Sequence, residues 1–275
     1  MYAKYFRFRE EPFNLTPDPR FLYMTRQHRD ALDHLLYGIG QRKGFILLTG
    51  EVGTGKTTLC RALLKELGPS VHTALILNPV MTETQLVRAV VEEFGLVPPR
   101  RDRLSHLTAL NQFLLKVNAA GQTAVLVIDE AQDLSVGGLE QVRLLSNLET
   151  ERQKLLQICL LGQPELRRKL AKPALRQLAQ RITVRFHLQR MRQDDVGAYL
   201  SHRLGLASED PSAPAVRFQP DAVDEVYSYS QGTPRLVNAL CDRALLAGYV
   251  YRTGEIDRRL VRLAADELKE ACPSA

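Results

Sequence analysis

The sequence contains no apolar run long enough to cross a bilayer. The longest runs, such as "GFILLTG" (44–50) and "TAVLVIDEA" (123–131), have the length of a β-strand, whereas a spanning helix needs about 20 apolar residues. The N-terminal "MYAKYFRFREEPF" carries basic residues without an apolar segment after them, so it does not read as a signal peptide. We therefore expect a cytoplasmic protein without a membrane span of its own, peripheral at the inner membrane where partners hold it there.

Cysteine is also scarce, and its spacing excludes two kinds of site. The four cysteines are scattered along the chain without a Cys-x-x-Cys pair, so neither a disulfide framework nor a cysteine metal site is indicated. We expect reduced thiols that are mostly buried. They are Cys60, Cys159, Cys241 and Cys272.

Acidic residues are outnumbered by basic ones, but only in the first part of the chain. The formal net charge is +6, and residues 1–189 carry 26 Lys and Arg against 18 Asp and Glu. Residues 190–275 carry 11 against 13, so the two parts have net charges of +8 and −2. A positive excess attracts polyanions such as nucleic acid or acidic lipid. The same cations could instead bind a phosphate ligand or form contacts between subunits. Charge alone leaves both interpretations open.

The order of apolar patterns predicts an α/β protein. The 275 residues suffice for one large domain, or for a core domain with a small appendage. Strand-like runs alternate with helical patterns, and these runs are continuously apolar, as in parallel strands buried on both faces. We predict strands at 45–50, 72–78, 124–130, 157–163 and 182–188. Helices are predicted at 56–67, 82–94, 104–119, 137–150 and 164–179.

Both ends of the chain differ from this α/β pattern. The proline spacing in "EEPFNLTPDPRFLY" (10–23) predicts an extended arm, which a helix at 27–41 follows. No strand is predicted after residue 190, where helical patterns form a small all-helical lid. Those helices cover 192–205, 220–230, 233–251 and 255–270. The predicted domains are an N-terminal arm and helix (1–40), an α/β core (41–190) and a helical lid (191–275).

One glycine-rich segment carries the most specific motif. Residues 50–57 match Gly-x-x-x-x-Gly-Lys-Ser/Thr between a predicted strand and a predicted helix, the context that confirms a phosphate-binding loop. Glycines let backbone N–H groups converge on phosphate oxygens, and the helix N-terminus adds its dipole. The lysine offsets the charge of the β- and γ-phosphates, and the threonine that follows it, Thr57, binds Mg²⁺. The predicted ATP ligands are Gly50, Glu51, Val52, Gly53, Thr54, Gly55, Lys56, Thr57 and Thr58.

The segment "AVLVIDEAQDL" (124–134) predicts a hydrolytic pair. Asp129 stands at a strand end, where its carboxylate can hold Mg²⁺, and Glu130 beside it can polarise a water for attack on the γ-phosphate. Nucleotide kinases usually lack that adjacent base, so the pair favours hydrolysis; the alternative is that Glu130 is only an ion-pair partner. The spelling "DEAQ" also resembles a helicase box, but such helicases need two α/β domains, for which the chain is too short.

Two amide side chains at predicted strand ends are further candidates. Gln163 follows the fourth strand, between the phosphate-loop strand and the strand of the acidic pair. There it can contact the γ-phosphate or the attacking water; alternatively it caps the helix that Pro164 begins. Asn78 ends the second strand and can hold Glu130 inactive until a ligand arrives; alternatively it is a turn former before Pro79.

Arginines provide the last candidate positions. Seven basic residues and one acid lie between 165 and 185. An arginine just before the fifth strand reaches a neighbour's nucleotide more easily than its own, as a trans arginine finger does. Arg181 is the first candidate and Arg176 the second, with a solvated basic face as the alternative. Arg235, at the start of a lid helix after "GTP", can bridge the lid to the γ-phosphate; the alternative is a surface ion pair.

Together these motifs resemble an AAA+ ATPase, a P-loop NTPase with a five-stranded parallel sheet and a helical lid. Further segments look like the ExeA/GspA family of general secretion ATPases, over nearly the whole chain: "PFNLTPDPRFLY", "HRDALDHLLYGI", "LEQVRLLSNLET" and "LLGQPELRRKL". The resemblance implies ATP hydrolysis in oligomeric rings, with ExeA members helping to assemble an outer-membrane secretin through a peptidoglycan-binding region. It also implies that the N-terminal arm contributes to the adenine pocket, with Phe13, Pro17 and His28 as lining candidates.

The chain departs from the full-length family pattern, because it ends at "KEACPSA" without a transmembrane helix or a periplasmic domain. We expect either the ATPase region of a longer product or a stand-alone paralogue. The leading hypothesis is an ATP-driven oligomer that serves envelope secretion or pilus-type assembly. The second is a DNA-associated ATPase that recruits a transposase, since similar TnsC-like ATPases form rings or filaments on DNA. A monomeric switch with negligible turnover is disfavoured by the Asp129–Glu130 pair and by Arg181.

Overall fold

A computed structural model describes residues 1–16, 18–150, 153–211 and 214–271. The strands are β1 (Phe45–Gly50), β2 (Val71–Ile76), β3 (Thr123–Ile128), β4 (Leu156–Gly162), β5 (Ile182–Leu188), β6 (Arg217–Phe218) and β7 (Glu255–Ile256). The helices are α1 (Tyr2–Tyr5), α2 (Arg26–Gly40), α3 (Lys56–Glu66), α4 (Glu83–Glu93), α5 (Arg103–Ala119), α6 (Val136–Leu145), α7 (Pro164–Leu170), α8 (Arg176–Arg181), α9 (Gln193–Ala207), α10 (Pro220–Ser230), α11 (Pro234–Val250) and α12 (Arg258–Ala271). Short 3₁₀ turns lie at Pro19–Phe21, Ala131–Asp133 and Pro173–Leu175.

Five of the strands form one parallel sheet in the order β2-β3-β4-β1-β5. The central strands β3, β4 and β1 are buried along almost their whole length, whereas the edge strands β2 and β5 include exposed positions. A strand covered on both faces has no solvent side, which is why the central strands are continuously apolar. The predicted class, an α/β fold with five parallel strands, is confirmed.

Four elements inside this region miss their predicted boundaries by two residues or more. β2 ends at Ile76 rather than at 78, and α6 ends at Leu145 rather than at 150. The helix predicted at 164–179 is broken into α7, a 3₁₀ turn and α8. Pro173 has no N–H to donate and its ring clashes with the carbonyl four residues before it, so the first helix ends ahead of it. The third strand stops at Ile128, two residues before the predicted end, because Glu130 has a left-handed backbone (φ 49°, ψ 38°) that cannot continue a strand.

The contacts divide the chain into two compact units. The sheet unit comprises Arg26–Glu51 and Leu59–Leu188, and the lid unit comprises Met1–Thr25, Val52–Thr58 and Gln189–Ala275. The predicted three-part division of the chain stays a prediction.

The sheet unit has a continuous apolar core around its strands. Leu126 on β3 and Leu160 on β4 are fully buried within it, and burial of one leucine side chain contributes about 1.5–3 kcal/mol. The helices that cover the sheet start at defined caps: Thr82 and Gln85 form a capping box at α4, and Asp102 caps α5. Because all five strands are parallel, their carboxyl ends lie at one edge of the sheet. This is the edge that usually carries ligands in α/β sheets.

The lid unit combines the N-terminal arm with the C-terminal helices α9–α12 in one apolar cluster. Phe13 of the arm is almost completely buried there. The Tyr2 hydroxyl donates a hydrogen bond to Asp242, and the Arg203 guanidinium lies 4.9 Å from the centroid of the Phe21 ring. The arm thus contains short helical turns rather than being extended throughout, because its aromatic residues pack on the helices.

The expectation of no strand after residue 190 is wrong at two short positions. β6 and β7 pair in parallel, with Arg217 opposite Glu255 and Phe218 opposite Ile256. Two residues are too few to give a periodic pattern in the sequence. The four predicted helices are present as α9–α12, although the last begins at Arg258 rather than at 255, where β7 lies.

The cysteines agree with the expectation of buried thiols as far as they are described. Cys60, Cys159 and Cys241 are buried and free, and burial raises the pKa of each thiol, that of Cys60 to about 12. Such thiols are protonated and inert at neutral pH. Cys272 lies outside the described residues. Among the described helices, none combines the length and the apolar character that a bilayer span requires.

Candidate functional site

The phosphate-binding loop connects β1 to α3. β1 ends at Gly50, and the chain then turns through Gly53 and Gly55, which have φ values of +78° and +94°. Only glycine adopts such angles without strain. α3 begins at Lys56, which is buried with 5% of its surface exposed. The N-terminus of this 11-residue helix adds a positive field to the loop.

Within the lid unit, the loop contacts the start of α11. A Cβ atom built on Gly53 would lie 2.8 Å from the Cβ atom of Arg235 and 3.2 Å from the Cγ2 atom of Thr233. Gly53 and Arg235, two of the predicted ATP ligands, are therefore neighbours. The side chain of Arg235 is exposed and makes no ion pair among the described residues. The alternative interpretation of Arg235, a surface ion pair, is therefore not what the described residues show.

The acidic pair follows β3 directly. Asp129 is buried, with 2% of its surface exposed, and its N–H donates to the carbonyl of Ile76 at 2.9 Å. The N–H of Glu130 donates to the Asp129 Oδ1 atom at 2.9 Å. The left-handed backbone of Glu130 costs about 1–2 kcal/mol for an L-residue. Strain of this kind clusters at functional sites, where the surrounding structure holds it.

Two amide side chains hold the Glu130 carboxylate. The Oε2 atom of Glu130 accepts hydrogen bonds from Gln132 Nε2 at 2.8 Å and from Gln163 Nε2 at 3.2 Å. Gln163 precedes α7 but makes no side-chain cap to it, so its amide is directed to Glu130 instead. The sequence predicts Gln163 near the acidic pair, but it does not single out Gln132. The signal was the glutamine two positions after Glu130 in "DEAQ".

Asn78 takes part in a different contact. Its side chain is exposed, and Asn78 Oδ1 accepts a hydrogen bond from the N–H of Val80 at 3.3 Å. This is the turn-forming arrangement that the sequence allowed as its second interpretation. No hydrogen bond joins Asn78 to Glu130 in the described part of the chain. A role for Asn78 in restraining Glu130 stays a prediction.

The two candidate arginine fingers lie at opposite ends of α8 and differ in their partners. Arg181 Nη1 donates to Ser146 Oγ at 2.8 Å and to Asn147 Oδ1 at 2.6 Å. Arg176 is exposed and makes neither a hydrogen bond nor an ion pair with any described residue. Arg181 must therefore give up contacts within its own chain before it reaches a neighbour, whereas Arg176 need not. Which of them acts in trans stays a prediction.

The residues expected at the adenine are described only in part. Phe13 lies in the apolar cluster of the lid unit, with its ring centroid 6.2 Å from that of Phe218. His28 is buried on α2 of the sheet unit. Pro17 lies outside the described residues. Their contribution to an adenine pocket stays a prediction.

The two predicted Mg²⁺ ligands, Thr57 and Asp129, carry oxygen atoms of the kind that a hard cation prefers. Mg²⁺ prefers oxygen ligands, keeps several waters and is usually held by one or two protein groups together with substrate phosphates. The hydroxyl of Thr57 and the carboxylate of Asp129 are such oxygen groups. The described residues contain no cluster of three or more His, Cys, Asp or Glu that could hold a metal by itself.

Comparison with known proteins agrees with the fold and the loop. Residues 39–170 match the protein family described as AAA domain. Over 269 residues, 98% of its length, the chain is 46% identical to general secretion pathway protein A of Aeromonas hydrophila. It spans 48% of the length of that relative.

Solved structures share the fold at low sequence identity. The Aeropyrum pernix ORC2 protein has a TM-score of 0.69 at 17% identity, covering 94% of this chain and 72% of that one. Cdc6p from Pyrobaculum aerophilum gives 0.68 at 17%, with 93% and 70% covered. The Thermotoga maritima RuvB Holliday junction branch migration motor gives 0.57 at 18%, with 88% and 69% covered. Likeness at such identities concerns the fold alone. With its phosphate loop, its acidic pair and its relative of high identity, the chain belongs to the AAA+ ATPases, in the ExeA/GspA (general secretion pathway protein A) family.

Proposed function

We propose that the chain hydrolyses ATP to ADP and phosphate in the presence of Mg²⁺. The observation that carries the proposal is the Glu130 carboxylate, which directly follows Asp129 and accepts two amide hydrogen bonds on one oxygen. A general base has to be oriented towards the proton that it removes. Membership of the AAA+ ATPases supports nucleotide hydrolysis in general.

In the proposed reaction, Glu130 accepts a proton from a water whose oxygen attacks the γ-phosphorus. The bond from phosphorus to the β–γ bridging oxygen breaks, and ADP leaves with the electron pair. The loop N–H groups and Lys56 offset the charge of the phosphates. Bound Mg²⁺ would neutralise further phosphate charge, with Thr57 and Asp129 as its protein ligands.

In this proposal Arg235 senses whether the bound nucleotide carries a γ-phosphate. Its exposed guanidinium has no ion pair in the described part of the chain, and its Cβ lies against Gly53 of the phosphate loop. A cation at that place responds to the presence of the γ-phosphate, so the angle of α11 can follow the state of the nucleotide.

The hydrolysis itself is tested by phosphate release from ATP, with Mg²⁺ and with a chelator. We expect release with Mg²⁺ only, and none from a Lys56→Ala variant, which loses the charge that offsets the phosphates. Equal rates for the wild type and Lys56→Ala would contradict the proposal.

The biological setting is proposed from the relative. General secretion pathway protein A carries secretion in its name, and this chain matches about half of that protein. We propose a nucleotide-dependent oligomer that works with envelope secretion or pilus-type components at the inner membrane. Activity per subunit should rise with protein concentration, because a trans arginine acts only between neighbours. A rate per subunit that stays constant across dilution would contradict the oligomer.

A DNA-associated ATPase is the second candidate, and one observation favours it. Arg167, Lys172 and Arg176 are exposed around α7 and α8 and form no ion pair with any described residue. Such a cationic surface binds duplex DNA with a steep dependence on salt. Stimulation of the ATPase by duplex DNA, lost as salt is raised, would favour this candidate over secretion.

A further inference from the structure

Both polar atoms of the Gln132 side-chain amide form hydrogen bonds beside the acidic pair Asp129–Glu130. Its Nε2 atom donates to Glu130 Oε2 at 2.8 Å, and its Oε1 atom accepts from the N–H of Gln163 at 3.0 Å. A backbone N–H can only donate, so the atom that faces it must be the oxygen. The nitrogen therefore faces the carboxylate. The hydrogen-bond partners thus fix which end of the side-chain amide is oxygen and which is nitrogen.

The backbone of Gln132 is fixed by a second set of contacts. Lys169, near the end of α7, donates from Nζ to the carbonyl of Gln132 at 2.5 Å and to the carbonyl of Leu134 at 2.7 Å. These carbonyls belong to the 3₁₀ turn after the acidic pair and the residue that follows it. Because Gln163 precedes α7 and Lys169 lies near its end, the helix is tied to the 129–134 segment at both ends.

The space for the Gln132 amide depends on Gly162. A Cβ atom at Gly162 would lie 2.9 Å from Gln132 Oε1 and 2.8 Å from Leu166 Cδ2. The Gln132 oxygen is the end of a flexible side chain, so a methyl group there would displace the amide and would also press on the buried Leu166. The last residue of β4 thus permits the close approach of Gln132.

The effect on Glu130 is an ordered carboxylate. A glutamate side chain has up to about 2 kcal/mol of rotamer freedom, and general-base catalysis needs the carboxylate held in one orientation. Both amide donors use Oε2, and no described residue makes a hydrogen bond to Oε1. The network orders one oxygen and leaves the other for a water.

We propose that Gln132 is a positioning residue for Glu130, linking the base to the start of α7 through Gln163. This inference rests on the proposed ATP hydrolysis with Glu130 as base. Gln132 does not touch the nucleotide in this account; it acts only through the orientation of the carboxylate. Removal of the Gln132 amide should therefore lower kcat and leave nucleotide binding unchanged.

The test compares two variants at position 132 with similar side-chain length. Gln132→Met keeps the volume and removes both hydrogen bonds, and we expect kcat to fall about tenfold with the KM for ATP unchanged within about twofold. Gln132→Glu keeps an acceptor for the N–H of Gln163 but sets a like charge beside Glu130, so kcat should fall further. Gly162→Ala, which leaves Gln132 in place and displaces its amide, should also lower kcat alone.

A purely structural role is separated by a double-mutant comparison. In a Glu130→Asp background the shortened carboxylate no longer reaches Gln132, so adding Gln132→Met should change the residual kcat by less than about twofold. Full additivity of the two losses would overturn the proposal. A rise in kcat for Gln132→Met would overturn it as well, since Gln132 would then restrain the base.

Glu130→Gln, assayed in parallel, separates this inference from the function on which it rests. If Glu130→Gln abolishes turnover and Gln132→Met keeps the wild-type kcat, the positioning role alone is wrong. If Glu130→Gln hydrolyses ATP as the wild type does, the proposed base is wrong first, and the role of Gln132 falls with it.

Discussion

An alanine at Gly53 would meet two penalties at once. The φ angle of +78° costs an L-residue about 1–2 kcal/mol. The added Cβ would lie 2.8 Å from the Cβ of Arg235, which is not a flexible end, so the loop and the start of α11 would have to move apart. Overpacking of this kind costs typically about 1–3 kcal/mol. The sum, about 2–5 kcal/mol, corresponds to a roughly 30- to 4000-fold larger dissociation constant for ATP if the loop relaxes out of its binding conformation.

Gly95 offers a matched control for the backbone penalty. Its φ angle is +69°, and a Cβ built there meets no atom within 4 Å. Gly95→Ala should therefore lower the free energy of unfolding by about 1–2 kcal/mol and leave ATP binding unchanged. Titration with a fluorescent ATP analogue and urea unfolding measure the two quantities for both variants. Wild-type ATP affinity in Gly53→Ala, alongside the expected stability loss in Gly95→Ala, would refute the reasoning about the loop contact.

Two further predictions concern the lid unit. In Gly232→Ala the added Cβ would lie 2.0 Å from the carbonyl oxygen of Met191 at a φ of +70°; because that atom is backbone, urea unfolding should show a loss of about 3–5 kcal/mol, and a loss below about 1 kcal/mol would contradict the clash. The His202 Nε2 atom is buried without a hydrogen bond among the described residues, and burial together with Arg203 lowers the pKa of His202 from 6.5. The unfolded chain then binds more protons, so folded stability is complete above about pH 6.5 and falls as the pH drops below it. Unfolding free energies at pH 7 and pH 5 should show a larger acid loss for the wild type than for His202→Gln, and equal losses would contradict this assignment.

The central strands and the phosphate loop could be predicted because their sequence signals are local. The central strands are buried on both faces, so their sequences are continuously apolar and easily recognised. The phosphate loop combines fixed glycines, Lys56 and a strand-to-helix context, and the structure places left-handed backbone at Gly53 and Gly55 as such a loop requires. The resemblance of the N-terminal and β4 segments to the ExeA/GspA family is matched by the identity to the Aeromonas hydrophila relative.

The hydrogen bonds of Glu130 could be predicted only in part, because they depend on backbone angles. Glu130 leaves β3 in a left-handed conformation, which turns its side chain towards Gln163 rather than Asn78. Nothing in the residues around Glu130 specifies that angle, since left-handed backbone usually signals glycine or asparagine. The sequence does not single out Gln132 for the same reason, since its hydrogen bonds form only where β3 and β4 are neighbours and α7 begins beside them.

Short structural elements are the other features that the sequence does not predict. β6 and β7 have two residues each, too few for an alternating pattern, and the break between α7 and α8 depends on a single proline. The arm was expected to be extended because of its prolines, but burial of Phe13 and the contacts of Tyr2 fold part of it into turns. Tertiary packing decides the local structure of the arm, whereas the break between α7 and α8 is a local effect of Pro173.

The central claim, that Glu130 is the base of an ATP hydrolysis, is tested most directly by Glu130→Gln. Glutamine keeps the size of the side chain and removes the ability to accept the proton from water. We predict that the variant binds ATP with wild-type affinity and retains it through a single-turnover experiment without releasing phosphate. Hydrolysis of ATP by Glu130→Gln at the wild-type rate would contradict the account.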